Sequence, residues 1–399
     1  MRDAGRLYAR VEAADGLISS LIFTLNLVYQ ATVIGLSPLQ LVLVGTVLEI
    51  VVLLAELPTG AFADLHGRRP AVVVGYALIG AGFTFEGAIP AFWAVLVAQV
   101  LWGTGAAFTS GAFQAWLVDE TSPDDAAPVI LRAARLANVG GIAGIALSVA
   151  VGWQSPRVPV VIGGLAWMLL ALALWRSMGE ERPTRGPGGT VGLIGQGRAG
   201  LRVVRAVPVA LGLTLVQLFG GLSSEALDRL STPRFLALGL PGGLRTVAWF
   251  GLIAAGAMLV GAIGIRAAER LERTDRSLAR ALLGAQALQV AVVVAFAATG
   301  SFALALAAWW ALGLLRTVQA PLAGAWLNRH IPSATRATTL SLHSQANALG
   351  QVVGGPICGA VASGVSVRAA LLVSAIFLAP AAAVLAALRR RLASAPGVE

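Results

Sequence analysis

"ELPTGAFADLHGRRP", residues 56–70, separates two long apolar runs in a chain that otherwise carries little charge. The stretch holds two acids (Glu56, Asp64), three side chains able to be basic (His66, Arg68, Arg69), two prolines and two glycines. Such a cluster between greasy segments reads as a short aqueous turn joining two membrane helices, because ionised groups in lipid are costly. The composition agrees. Of 399 residues, 57% are hydrophobic and 12% charged, with a mean hydropathy of +0.81. A soluble domain carries roughly 25% charged residues. This chain lacks the polar groups to cover a soluble core, and lipid is the solvent that remains.

A spanning helix needs about 20 mainly apolar residues. Twelve such segments are predicted, at 14–35, 38–60, 71–89, 91–117, 134–153, 157–175, 207–228, 244–265, 279–298, 301–327, 337–362 and 366–388. No cleavable signal peptide is predicted, since the first run is long and no small-residue cleavage site closes it. All 29 basic residues are arginine and the net charge is +10. With the N-terminus inside, the arginines fall overwhelmingly in cytoplasmic segments. Only Arg157, Arg229, Arg234, Arg245 and Arg368 fall outside, and Arg316 is the only arginine placed well inside a span. This positive-inside pattern supports both the count and the orientation, with both termini cytoplasmic in the plasma membrane. Arginines scattered between apolar runs do not make a nucleic-acid surface.

The one long connection divides six spans from six. The predicted organisation is a six-helix bundle over 1–178, a cytoplasmic linker over 179–205 and a second six-helix bundle over 206–399, an arrangement typical of transporters built from two related halves. The linker contains Gly195-x-Gly197-x-x-Gly200, the spacing of a dinucleotide-binding turn. It lacks the strand before it and the acid about 20 residues on that the fingerprint requires, so it reads as a basic linker. A single cysteine, Cys358, and three histidines leave no disulfide, no metal site and no catalytic cluster. The chain is predicted to be no enzyme and to need no cofactor.

Gly60-x-x-x-Asp64-x-x-Gly67-Arg68-Arg69 resembles the loop between the second and third helices of the major facilitator superfamily. The stretches "SGAFQAWLVDE" (110–120), "SSEALDRL" (223–230) and "RATTLSLHSQANALGQVVGGP" (336–356), with Glu49 and "ELPTG", are similar to the twelve-helix drug/proton antiporters of the tetracycline and macrolide efflux type. The resemblance covers nearly the whole chain. It implies an all-α integral membrane protein of the major facilitator fold, twelve transmembrane helices in two six-helix bundles, exporting a drug-like molecule in exchange for protons. Two motifs depart from that branch. Gln99 to Gly103 stand where many proton-coupled relatives carry an R-x-x-Q-G pattern, and Gly140, Gly141 and Gly144 in the fifth span lack the antiporter proline. Gly350-x-x-x-Gly354-Gly355-Pro356 appears in span eleven instead.

The candidate site residues follow from depth. Glu49, about 16 Å into the second span at 1.5 Å per residue, lies near the midplane and is the first candidate for a proton carrier, with Glu56 seven residues on. Arg316 is expected to pair with one of them across the two halves. Gly60, Asp64, Gly67, Arg68 and Arg69, with Asp119 and Glu120 at the inner end of span four, are predicted to form a conformational latch. Gly60 would let a neighbouring helix approach closely, and Asp64 would face a helix N-terminus. Glu225, Asp228 and Arg229, closing span seven outside, are the expected outer gate, while Asp15 reads as solvated. Polar and aromatic residues at mid-depth, Asn26, Tyr29, Gln30, Gln114, Gln217, Trp249, His343, Gln345 and Asn347, are expected to line a substrate cavity suited to a bulky lipophilic compound. The expected partners are a small-molecule substrate, protons and the lipid bilayer, in a monomer. The rival expectations are a proton-coupled nutrient importer and a non-transporting membrane sensor.

Overall fold

The computed structural model describes residues 2–179, 200–269, 274–332 and 335–394, and no strand occurs among them. The chain begins with α1 (Arg2–Phe23) and α2 (Asn26–Thr32), then α3 (Pro38–His66), α4 (Arg68–Ala88), α5 (Phe92–Thr109), α6 (Ala112–Glu120), α7 (Pro123–Val151) and α8 (Arg157–Ser177). Residues 200–206 are helical. There follow α9 (Pro208–Leu238), α10 (Thr246–Glu269), α11 (Asp275–Ala298), α12 (Phe302–His330), α13 (Arg336–Gly364) and α14 (Val367–Ser394). The starts are written locally. Ser37 and Gln40 form a capping box ahead of Pro38, and the Ser122 hydroxyl accepts from the Asp125 N–H ahead of Pro123. Both arrangements satisfy N–H groups that a helix start leaves over.

Eleven segments among the described residues are long and apolar enough to cross a membrane, with α1 and α2 together forming one (Asp3–Thr32) and α5 and α6 another (Phe92–Glu120). The twelfth expected span is α13. It has the length, 29 residues, but carries polar residues through its first half and falls outside that apolar class. Lipid alone does not select it. Of its polar residues, Asn347 bonds α9, and His343, Asn347 and Gln351 line a cavity, as described below.

The chain divides into two compact units: Met1–Gln40, Val47–Gly186 and Gly242–Ala255 in one, and Leu41–Thr46, Pro187–Pro241 and Gly256–Glu399 in the other. In the first, the aromatic side chains Phe83, Phe113, Trp116 and Trp167 are buried together with aliphatic residues of α1, α4 and α8. α1 and α7 touch backbone to backbone, since a Cβ at Gly140 would lie 2.2 Å from the Ala13 carbonyl oxygen and one at Gly144 2.2 Å from that of Leu17. The second unit repeats the device between α9 and α13. A Cβ at Gly350 would lie 2.3 Å from the Leu218 oxygen, and one at Gly354 2.2 Å from that of Leu222. Small residues at four-residue spacing permit such contacts in membrane helices. The glycines that lack the antiporter proline therefore do the same packing work as those that have it nearby.

Several boundaries differ from expectation. α1 starts at Arg2, well before residue 14, because Arg6, Arg10 and Glu12 extend the helix without interrupting it. The predicted turn at 60–70 is helical to His66, and the chain turns only at Gly67, whose φ of 99° and ψ of 162° suit glycine alone. Gly60 has open space where its Cβ would be, so it brings no neighbour close. α9 runs to Leu238, ten residues past the predicted end, so Glu225, Asp228 and Arg229 lie inside the helix. Arg316 is thus not the only arginine within a span: Arg229 and Arg234 are as well. The linker expected at 179–205 lies outside the described residues over 180–199, including Gly195 and Gly197. Gly200 packs on α13, its Cβ position 2.7 Å from Thr338 Cγ2.

Candidate functional site

The second unit holds a partly open cavity of about 320 Å³ walled by α9, α11, α12, α13 and α14. Six side-chain amides line it: Gln217 on α9, Gln286 and Gln289 on α11, Gln319 on α12, and Asn347 and Gln351 on α13. They are partly cross-linked. Gln319 Nε2 donates to Gln289 Oε1 at 2.6 Å, Gln351 Nε2 to Asn347 Oδ1 at 2.7 Å, and Asn347 Nδ2 to the Gln217 carbonyl at 3.2 Å. Two polar atoms of the wall, Gln286 Nε2 and His343 Nδ1, are enclosed and have no hydrogen-bond partner among the described residues. At the wall Arg316 Nη1 donates to Asp228 Oδ1 at 2.6 Å. Arg316 therefore meets Asp228, in its own unit, where the sequence reading expects Glu49 or Glu56.

One turn before Asp228 on α9, Glu225 accepts from Arg229 Nε at 3.0 Å, and both side chains are nearly enclosed. Gly45 of α3 makes room for them, as a Cβ there would lie 1.5 Å from Glu225 Oε1. The three residues expected as an outer gate thus divide into a buried i, i+4 pair and a cavity-wall carboxylate. Ser223 and Ser374 join α9 to α14 by a buried hydroxyl contact of 2.7 Å.

In the first unit, the expected cavity residues behave differently. Asn26, Tyr29 and Gln30 are buried among helices. Tyr29 Oη donates to the Glu86 carbonyl at 2.9 Å and Gln30 Nε2 to Glu86 Oε1 at 2.8 Å. Asp15 is not simply solvated: it accepts from Trp167 Nε1 at 2.9 Å. Gln114 is exposed on α6, Gln345 bonds within α13 to Ser341 Oγ at 3.4 Å, and Trp249 is half-buried in α10. None of these three lines the cavity of the second unit. Glu49 is half-buried and Glu56 exposed, both on α3.

Of the expected latch, Arg68 and Asp119 come together at 2.9 Å, tying the start of α4 to the end of α6. Arg69 donates to the Trp175 carbonyl and lies 5.4 Å over its ring. Asp64 and Gly60 are exposed and Glu120 is half-buried.

The arginines that fall on the far side in the topology reading have structural partners. Arg157 Nε and Nη2 donate to the Gly87 and Ala88 carbonyls at the end of α4. Arg234, 5% exposed, donates to Phe296 and Thr299 at the end of α11, and Arg368 to Ala298 of the same end at 2.9 Å. Arg245 donates to the Trp153 carbonyl just past α7 at 2.9 Å. A helix C-terminus leaves carbonyls unsatisfied and partly negative, and a guanidinium answers both deficits. Residue depth alone misses Glu86, Gln286, Gln289, Gln319 and Gln351. Each is nonetheless a polar residue in an apolar run, the signal already used for Glu49.

A family profile for the Major Facilitator Superfamily matches residues 13–288. The Bacillus subtilis (strain 168) protein described as an uncharacterized MFS-type transporter, YxaM, is 22% identical over 350 residues, covering 85% of each chain. Among solved structures, a bacterial homologue of the human lysosomal transporter Spinster superposes with a TM-score of 0.78 at 18% identity, over 99% of this chain and 98% of that one. The nucleoside transporter NupG, as its D323A mutant, gives 0.82 at 11% identity, over 96% and 99%.

Proposed function

The chain belongs to the major facilitator superfamily, and from that premise we propose that it is a proton-driven exporter of a small drug-like molecule bearing several hydrogen-bonding groups. It is an MFS-type transporter and a multi-pass membrane protein. The two bundles, 1–178 and 206–399, alternate between access states with the 179–205 segment as their cytoplasmic tether, and both termini face the cytoplasm of a plasma membrane. Arg68 and Asp119 hold one access state and release in the other.

The observation that carries the substrate reading is the cavity of about 320 Å³ lined by six amides and the Asp228–Arg316 pair. Its volume is at the small end of the roughly 300–1,000 Å³ found for ligand sites. A wholly lipophilic guest would displace water and leave amide groups unpaired, at about 1–3 kcal/mol for each group. The bulky lipophilic compound suggested by the sequence is therefore narrowed to one that returns those hydrogen bonds. Export is favoured by the efflux-type motifs of spans two, four, seven and eleven.

The same polar wall suits a second reading, proton-coupled uptake of a polar nutrient. Inverted membrane vesicles containing the full chain decide between them. Export predicts accumulation of hydrogen-bonding compounds inside the vesicles on acidifying the lumen, with purely hydrocarbon dyes ignored. Loss of preloaded compound down the proton gradient supports uptake, and equal handling of hydrocarbon dyes sinks the polar-substrate reading.

A further inference from the structure

The first turns of α11 and the last turns of α14 belong to one buried cluster of the second unit, with Leu278 and Leu282 from one and Leu385 and Leu388 from the other. On that scaffold a partly open cavity of about 420 Å³ is lined by Arg276 and Arg280 of α11 and by Arg389 and Leu392 of α14. Three cations border it, and among the described residues no acid does. Asp275, the acid beside Arg276, is engaged by α12, where it accepts from Arg329 Nη1 at 3.3 Å and meets His330 Nε2 at 2.9 Å. Among the described residues, the one hydrogen bond donated by the three guanidinium groups runs from Arg280 Nε to the Arg276 carbonyl at 3.3 Å. Their Nη donors remain for a guest.

Like charges four residues apart on a helix destabilise it, so Arg276 and Arg280 burden α11 unless an anion lies against them. Guanidinium groups match phosphate oxygens, donating two parallel hydrogen bonds at a time. The place of the cavity selects the carrier of that phosphate. α11 and α14 are spanning segments over Asp275–Ala298 and Val367–Leu392, so all three arginines stand at the ends of membrane helices. Lipid phosphates lie at that level, and basic pockets between membrane helices take up anionic headgroups. Farther along α11, on the helical face of Arg280, Gly284, Ala287 and Ala291 are exposed, and nothing lies within 4 Å of the Gly284 Cβ position. That small-residue track gives an acyl chain room, and a free anion makes no use of it. A headgroup carrying its own ammonium would bring a fourth cation to the three arginines.

We propose that this cavity binds an anionic phospholipid, its phosphate between Arg276, Arg280 and Arg389 and one acyl chain along Gly284, Ala287 and Ala291. The site depends neither on the direction of transport nor on what occupies the amide-lined cavity. The first unit has a cavity with as many arginines, Arg6, Arg10 and Arg132, but Asp125 shares its wall and Arg6 is bonded to Asp3. Equal formal charge with acids present makes that cavity the natural comparison.

The test is native mass spectrometry of the full chain with dioleoylphosphatidylglycerol, dioleoylphosphatidylcholine or inorganic phosphate added at equal concentration. One phosphatidylglycerol per chain is expected to be retained about tenfold over phosphatidylcholine, and inorganic phosphate is expected not to displace it. Arg276→Gln, Arg280→Gln and Arg389→Gln should each weaken that retention about fivefold, the equivalent of roughly 1 kcal/mol per arginine near a membrane surface. The combined change of Arg6→Gln, Arg10→Gln and Arg132→Gln removes as much charge elsewhere and should leave it unaltered. Without added lipid, Arg276→Gln is expected to melt at or above the wild-type temperature, because a repulsion is relieved. Equal retention of the two lipids overturns the proposal, and so does equal loss from the two sets of variants, which would mean diffuse attraction. Displacement by inorganic phosphate would make this a soluble-anion site and sinks the lipid. Should a variant fold poorly, the wild-type comparison of the two lipids and phosphate decides alone.

Discussion

Asp228 on α9 and Arg316 on α12 meet at 2.6 Å in the wall of a cavity whose other polar groups are mostly neutral amides. Their side chains are 48% and 32% exposed, so water screens the attraction and the pair itself stabilises the fold by about 0–1 kcal/mol. Its larger effect is on what can occupy the cavity, since it offers a guest one cation and one anion side by side.

Asp228→Asn and Arg316→Gln are each expected to lower transport about tenfold or more, the equivalent of roughly 1.4 kcal/mol, with little change in melting temperature. Parallel transport and thermal denaturation measurements check this. A fall in stability as large as the fall in transport would make the pair a structural brace.

Gln286 offers the opposite combination. Its Nε2 is buried in the cavity wall without a partner, and an unmatched donor is destabilising. Gln286→Leu is expected to melt at or above the wild-type temperature while binding substrate more weakly. Weakened folding together with unaltered transport would remove Gln286 from the site.

Two glycines of α3 should respond differently to the same change. At Gly45 a methyl group would meet Glu225 Oε1 at 1.5 Å, so Gly45→Ala is expected to disturb the Glu225–Arg229 pair and cost about 1–3 kcal/mol. At Gly60 nothing lies within 4 Å, and alanine there should stabilise the helix by about 0.5–1 kcal/mol. Melting temperatures of the two variants, moving in opposite directions, are the expected result.

Gly67 joins α3 to α4 in a backbone conformation almost closed to other residues, so Gly67→Ala is expected to cost about 1–3 kcal/mol. Arg68→Gln, which breaks the half-exposed ion pair with Asp119, should cost less than about 1 kcal/mol yet alter transport rate. Comparing unfolding with turnover for the two variants separates joint from latch.

Arg234 holds the end of α11 from within the membrane protein's interior. Arg234→Met keeps much of the volume and removes the donors, and a loss of about 1–3 kcal/mol is expected from the carbonyls left unanswered. Amide exchange in the last turn of α11 should rise with it; unchanged exchange would show those carbonyls to be satisfied by other means.

The sequence by itself determined the solvent, the helices and the family. Apolar runs of about 20 residues are decided locally, by the cost of placing each side chain in lipid, and that cost is written at every position. For the same reason the Gly67 turn was legible to within a few residues, and Gln217, His343 and Asn347 could be picked out as polar residues in an apolar run.

Pairing was decided only by the tertiary structure. Asp228 and Arg316 are 88 residues apart, Gln30 and Glu86 56, and Arg157 lies 70 from the Gly87 carbonyl it holds. Hydropathy gives the depth of a charge but not the azimuth of its helix or the neighbour it faces. Arg234 could be read only as an outside charge, because the carbonyls that keep it within α9 belong to another helix. A buried polar group is tolerated when something distant answers it, and the distant partner exists only once the chain has folded.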